Sequence, residues 1–465
     1  MPKRLHLEPL EQRYLLTNSL VVVPSPAIDR SGLLLGAAAL APNDIWAVGF
    51  KNPPRHNPQD PYEQTLAEHF DGNSWQVVPT PSLGLGSRLS SVAAVASNDV
   101  WAVGDRTGPP FGHPLIEHWD GSSWTIIDGP TSSTALYGVT AISSNDVWTV
   151  GRIDNNNALV DHWDGSSWSV VSSSAFTGVG SLRSVSADAG NDVWACEGDP
   201  YPGQAVLHFD ATSWTRINPQ TQIYLSSITA LSPSDVWAVG TVFEAFDPET
   251  GEPTDSRPAI EHWDGSQWQE VPSPDPRPGG QGLSRLSGVA AISPTDIWAV
   301  GTPGSRNTLT EHWDGTSWSI IPSPNPTPNQ NGVFAVTARS DGTVAALGSQ
   351  ADGTLILQNP ESAPPGSGPA VPAAPLFVHA SAGPRWLLAG PGTVSNVAMR
   401  DTSLLQDQLN PRSVDPVFAA GKAESELSLA RDRSLAPQGP EDHLGRTDAI
   451  DRLFTEWFVV PALAG

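Results

Sequence analysis

The stretch Asn98-Asp99-Val100-Trp101-Ala102-Val103-Gly104, followed by Glu117-His118-Trp119-Asp120-Gly121-Ser122-Ser123-Trp124, decides the fold. Its first phrase recurs with its tryptophan at Trp46, Trp101, Trp148, Trp194, Trp237 and Trp298. Its second recurs around His69, His118, His162, His208, His262 and His312, and closes each time on a tryptophan: Trp75, Trp124, Trp168, Trp214, Trp268 and Trp318. A spacing of roughly fifty residues is that of a propeller blade.

Each copy holds four short strand candidates. In the second they are Leu89–Ala96, Val100–Val103, Leu115–Trp119 and Trp124–Ile127, set apart by the turn signals Asn98-Asp99 and Asp120-Gly121. The Asp side chain bonds nearby backbone N–H groups, and Gly accepts positive φ. Only the fourth copy replaces that glycine, with Ala211, so its turn is expected to be the least ideal.

A worn seventh copy runs from Gly332 to Pro360, with strands expected at Val333–Thr337, Thr343–Leu347 and Thr354–Leu357 but no fourth. The missing strand lies at the other end of the chain. Val21-Val22-Val23-Pro24-Ser25-Pro26 matches the strand endings Val77-Val78-Pro79-Thr80-Pro81 and Ile320-Ile321-Pro322-Ser323-Pro324. The expected fold is therefore all-β: a seven-bladed β-propeller of four-stranded blades over residues 20–359, closed by an N-terminal strand in the last blade. A six-bladed ring with an extra hairpin is the alternative.

Around the ring, residues 1–19 read as an export or targeting segment, 360–375 as a Pro/Ala/Gly-rich linker and 376–465 as a partly ordered tail. Near 446–458 the spacing of Ile450, Leu453, Phe454, Trp457 and Phe458 predicts a short amphipathic helix.

A net charge of −25 argues against nucleic acid and anionic lipid as partners. The apolar run Leu33–Ala41 is too short to be a transmembrane segment and aligns with a strand. The single cysteine, Cys196, excludes an intrachain disulfide; it takes the place of Val48, Val103 and Val239 in sister copies and reads as a buried small hydrophobe.

No metal or cofactor is expected. The six repeat histidines belong to different blades and cannot converge on one ion, so a His–Asp or His–backbone bond within each blade is their expected role. The repeat tryptophans are expected to pack between blades, with room for one or two at the channel rim. Asp154-Asn155-Asn156-Asn157 has a calcium-like composition without calcium-loop spacing. There is no GxSxG elbow, HExxH helix, Walker loop or dinucleotide fingerprint.

Loop lengths point to one face. The links before strands two and four are nearly uniform, whereas those between strands two and three vary, and they open on the same side as the links between blades. The long loops of copies one and five carry the candidate binding residues Arg55, His56, Asp60 and Tyr62, then Phe243, Glu244, Phe246, Asp247, Glu249, Asp255 and Arg257. The expected function is a noncatalytic extracellular or cell-surface scaffold or binding module engaging protein or glycan; the oligomeric state is not set by these features. A secreted carbohydrate-active enzyme with carboxylates at the channel mouth is the alternative.

The repeat resembles kelch-like or galactose-oxidase-central-domain-like propellers of environmental bacteria, over roughly residues 30–359. It departs from kelch repeats in lacking a Gly-Gly pair in every blade, and no copper-ligand set carries over. Asp120-Gly121-Ser122-Ser123-Trp124 resembles the Asp-box of sialidase-like propellers, a structural hairpin there, which implies no sialidase site. Leu7-Glu8-Pro9-Leu10-Glu11-Gln12-Arg13-Tyr14-Leu15-Leu16 resembles the LExLExRxLL segment at the start of exported planctomycete proteins, which implies export.

Overall fold

The computed structural model describes residues 19–359, apart from short stretches of which 53–62, 107–112 and 199–204 are the longest. All but residue 19 of the expected export segment, the linker and the tail with its helix lie outside the described residues.

Alternating sequence and fixed turn chemistry give seven four-stranded antiparallel sheets, each ordered consecutively from its first strand to its fourth. Blade one is Gly32–Ala41, Asp44–Lys51, Gln64–Phe70 and Trp75–Val78; blade two is Ser87–Ala96, Asp99–Arg106, His113–Trp119 and Trp124–Ile126. Blades three to six repeat this plan from Thr134 to Val170, Leu182 to Arg216, Tyr224 to Val271 and Ser284 to Ile320. Blade seven joins Gly332–Ala338, Val344–Gln350 and Gly353–Gln358 to the N-terminal strand Val21–Val23. That strand pairs antiparallel with the last one, Val21 opposite Gln358, Val22 opposite Leu357 and Val23 opposite Ile356. The ring thus closes within a blade shared by distant segments, and the edges left are the short outer strands of the blades, such as Trp124–Ile126 and Val21–Val23.

The turn before each fourth strand is built from its aspartate. Asp120 Oδ1 accepts from the backbone N of Ser122 at 2.8 Å and of Ser123 at 2.9 Å, and from the Ser122 hydroxyl at 2.7 Å. These bonds, the Ser122 hydroxyl first, hold its carboxyl down at about 2. Gly121 takes φ 93°; in blade four Ala211 is forced to φ 73°, and among the described residues it is the one non-glycine with positive φ.

The core lies in the seams between blades. Trp46 of blade one meets Trp124 of blade two edge-to-face, with centroids 5.3 Å apart and an interplanar angle of 89°. The same contact joins Trp101 to Trp168 at 5.7 Å, Trp148 to Trp214 at 5.8 Å, Trp194 to Trp268 at 6.1 Å and Trp237 to Trp318 at 5.8 Å. Edge-to-face rings fill the wedge that twisted sheets leave between them. The strand-two tryptophans Trp46, Trp101, Trp148, Trp194, Trp237 and Trp298 are all buried, and Cys196 is buried in the same cluster as Trp194, between blades four and five, its thiol pushed up to about 12 by burial.

The repeat histidines sit on the tryptophans and are anchored by aspartate. Nε2 of His69, His118, His162, His208, His262 and His312 bonds Asp44, Asp99, Asp146, Asp192, Asp235 and Asp296 respectively, over 2.6 to 2.9 Å. In blades two to six the same Asp Oδ1 also accepts the indole N–H of the tryptophan two residues on, as Asp99 does from Trp101 at 2.9 Å. One carboxylate therefore fixes both rings. Six His–Asp–Trp clusters result, one in each of blades one to six, and they do not meet.

Candidate binding face

The links between strands two and three and those between blades share one face. A parallel bridge between Ser256, on the blade-five hairpin, and Leu283, on the link into blade six, shows the two kinds of link side by side.

One feature of this face corrects the sequence reading. The segment Thr241–Pro258, expected to be a long variable loop, is mostly strand: Asp235–Phe246 and Pro253–Trp263 pair as far as Phe246 opposite Pro253. The reason is local. Val242, Phe243 and Phe246 favour strand, and Asp247 supplies a compact turn by accepting from the N–H groups of Glu249 and Thr250, each at 2.8 Å, with Gly251 at φ 75°. The strand-two segments of blades one, two, three and six have 8 residues against 12 here, so this strand runs about 13 Å longer.

The hairpin is buttressed. Arg277, on the link into blade six, donates Nε to Ser284 Oγ at 2.7 Å and Nη2 to the carbonyls of Ser256 at 3.0 Å and Gly282 at 2.6 Å. Asp255 lies 3.8 Å from the same Nη2 and accepts from Gly282 N at 3.0 Å. Arg257 donates to Glu270 at 2.6 Å and lies 3.3 Å from Glu244. Two candidate residues, Asp255 and Arg257, are thus tied into the hairpin's own support.

Aromatic rings climb from the inner strand to the tip. Tyr224 meets Phe243 at 4.6 Å, and Phe243 meets Phe246 at 5.9 Å. Phe246 is 51% exposed and is the one aromatic among the large exposed hydrophobics of the described residues. Asp247 has its carboxyl held below the usual range by its two backbone N–H bonds, that of Thr250 first. Phe243, Glu244, Phe246, Asp247 and Glu249 share this hairpin arm and turn, whereas Arg55, His56, Asp60 and Tyr62 of copy one lie outside the described residues, as does Asp154-Asn155-Asn156.

Sequence reasoning missed Tyr224, Ser256 and Arg277. The available signal was the link Ser273-Pro274-Asp275-Pro276-Arg277-Pro278, whose lone cation sits amid prolines. It also missed a cluster at blades one and two, where Arg88 donates to Asp105 at 2.7 Å and burial raises the Glu63 carboxyl against the opposing pull of Arg88. Asp105 is committed to that ion pair. No group of three or more His, Cys, Asp or Glu residues able to hold a metal ion occurs among the described residues.

No protein family profile matches the chain, and no curated protein does. Solved structures similar to it include YCF48 bound to a D1 peptide, at 17% identity and a TM-score of 0.49, covering 74% of this chain and 95% of that one. YCF48 from Cyanidioschyzon merolae is similar at 17% identity and a TM-score of 0.48, over 73% and 98% of the two chains. The WD40 β-propeller domain of Doa1 is similar at 11% identity and a TM-score of 0.49, over 74% and 97%. Among the described residues no helix is long and apolar enough to cross a membrane.

Proposed function

We propose that this propeller is a noncatalytic protein-binding module and that the raised hairpin of blade five is its contact edge. The observation that carries the reading is the exposed Phe246 at the end of the Tyr224–Phe243 ladder, held up by the Arg277 buttress. A rigid arm loses little entropy on binding, and an exposed aromatic is the kind of side chain that anchors an interface.

The surrounding charge supports a partner of defined chemistry. Glu244, Asp247, Glu249 and Glu252 flank Phe246, and the chain as a whole carries −25. A peptide segment pairing an apolar side chain with Lys or Arg complements such an edge. Protein is favoured over glycan because the tryptophans that would make a sugar platform are, among the described residues, used in the blades and their seams. Placement outside the cell belongs to the same proposal and is supported by the Leu7–Leu16 segment.

Peptide and glycan arrays probed with the full chain and with the Phe243→Ala/Phe246→Ala pair test this. Capture of basic, apolar peptides that the double variant loses is the expected result. Peptide capture unchanged by the pair, or glycan capture abolished by it, overturns the reading.

A further inference from the structure

The residue just before each repeat histidine carries a second pattern. It is Glu68, Glu117, Asp161, Glu261 and Glu311 in blades one, two, three, five and six, and Leu207 in blade four. In blade seven the register puts Leu357 there: it pairs with Ala346, as Glu68 pairs with Ala47. Because side chains alternate along a strand, a residue next to the histidine points to the opposite seam, toward the preceding blade. Glu68 accordingly lies on the side of Leu66 and Phe70, which pack on blade seven.

All five carboxyl residues are buried, none more than 1% exposed. The groups that act on them are hydroxyls and one further acid. Glu68 accepts from the Thr354 hydroxyl of blade seven at 3.0 Å and has the Ser25 hydroxyl beside it. Glu311 accepts from the Ser273 hydroxyl of the preceding link at 2.9 Å. Glu261 has the Thr221 hydroxyl beside it and Glu270 opposite it in the sheet, and Glu270 is itself paired with Arg257 at 2.6 Å. For Glu117 and Asp161 burial is the cause of the shift. Glu68 Oε2, both oxygens of Glu117 and of Glu261, Asp161 Oδ1 and Glu311 Oε1 have no hydrogen-bond partner there.

A buried carboxylate without a cation is far costlier than the neutral acid. We infer that these five side chains are carboxylic acids in the closed ring, one at each of five blade seams, and that closure of the propeller is thereby coupled to pH. Burial supports this in direction and size: it pushes Glu117 and Glu311 up to about 8, and Glu68, Asp161 and Glu261 up to about 7. Between the ordinary glutamate value of about 4.3 and those values, the folded ring holds more protons than the unfolded chain. Stability therefore falls as pH rises through that window, the reverse of common acid denaturation. The turn aspartates set the lower limit: Asp120, Asp164, Asp210, Asp264 and Asp314, held at about 2, withdraw their support as pH falls toward that value. The most stable range is then mildly acidic.

Thermal unfolding of the full chain at about pH 5, 7 and 9, with infrared detection of protonated carboxylic acids, tests the inference. The expected result is a Tm that drops by at least about 5 °C from pH 5 to 9, and a protonated-carboxyl band present at about pH 6 and lost by about pH 9. In the Glu117→Gln/Glu311→Gln variant the drop should shrink by about a third or more. A wild-type Tm that is flat or rises over this range, the absence of the band, or an undiminished slope in the double variant overturns it. If the variant does not fold, the wild-type slope and band still decide. The loop-face proposal is untouched by either outcome.

Discussion

The Trp75 indole N–H donates to the Gln358 side-chain oxygen at 3.2 Å, linking blade one to blade seven across 283 positions of sequence. Gln358 pairs with Ala345 in its sheet as His69 pairs with Trp46, so at this seam an amide and an alanine stand where other blades carry histidine and tryptophan. Trp75 finds an acceptor where Trp124 finds an indole ring.

Replacing that acceptor by Gln358→Leu strands the buried Trp75 donor and should cost about 1–3 kcal/mol, read as a lower denaturant midpoint at unchanged slope. Removing residues 20–26 deletes the Val21–Val23 strand and the buried Leu20 and should cost more. No measurable loss on that deletion would show that the ring does not close through the N-terminal strand.

Ala211→Gly relieves a left-handed alanine and should stabilise the chain by about 0.5–1 kcal/mol. The opposite change, Gly121→Ala, should destabilise: Gly121 sits at φ 93°, and a Cβ there would meet Asn98 Cβ at 2.7 Å. A Tm comparison of the two variants checks the sign of each.

Asp99→Ala leaves both His118 Nε2 and Trp101 Nε1 without their acceptor. We expect a loss of about 1–3 kcal/mol for each stranded donor. The sister substitution Asp44→Ala should cost less on the tryptophan side, because Trp46 Nε1 has no partner among the described residues to begin with.

Arg277→Ala removes three hydrogen bonds from the blade-five buttress while leaving the seams intact. The Tm should move by only a few degrees, whereas proteolysis between Phe246 and Pro253 should quicken and peptide capture weaken by roughly tenfold, as expected when a preorganised arm must be ordered on binding.

Much of the architecture was legible because it is written in a repeat. The tryptophan and histidine positions locate strands two and three in six blades, and the likeness of Val21-Val22-Val23-Pro24-Ser25-Pro26 to Ile320-Ile321-Pro322-Ser323-Pro324 places the N-terminal strand in blade seven. The blade-five hairpin was not legible, since Thr241–Phe246 departs from the repeat and its strand character depends on pairing with Pro253–Pro258. The seam carboxyls were hidden for another reason. Glu117 alternates with Ile116 and His118 along its strand, and packing against the preceding blade, which the repeat does not spell out, buries it. Asp255 and Arg257 read as free loop charges; the structure spends them on Gly282, Glu270 and Glu244.

The strand Val21–Val23 is made early in synthesis and its partner Gly353–Gln358 late. While the intervening blades assemble by local pairing, the outer edge of the last sheet has no partner, and neither does the strand that will cover it. Finishing the molecule is thus a single long-range capture, slower than any hairpin that precedes it. In that interval the edge of Gly353–Gln358 stands open, and a second copy's Val21–Val23 can fill it as well as the chain's own.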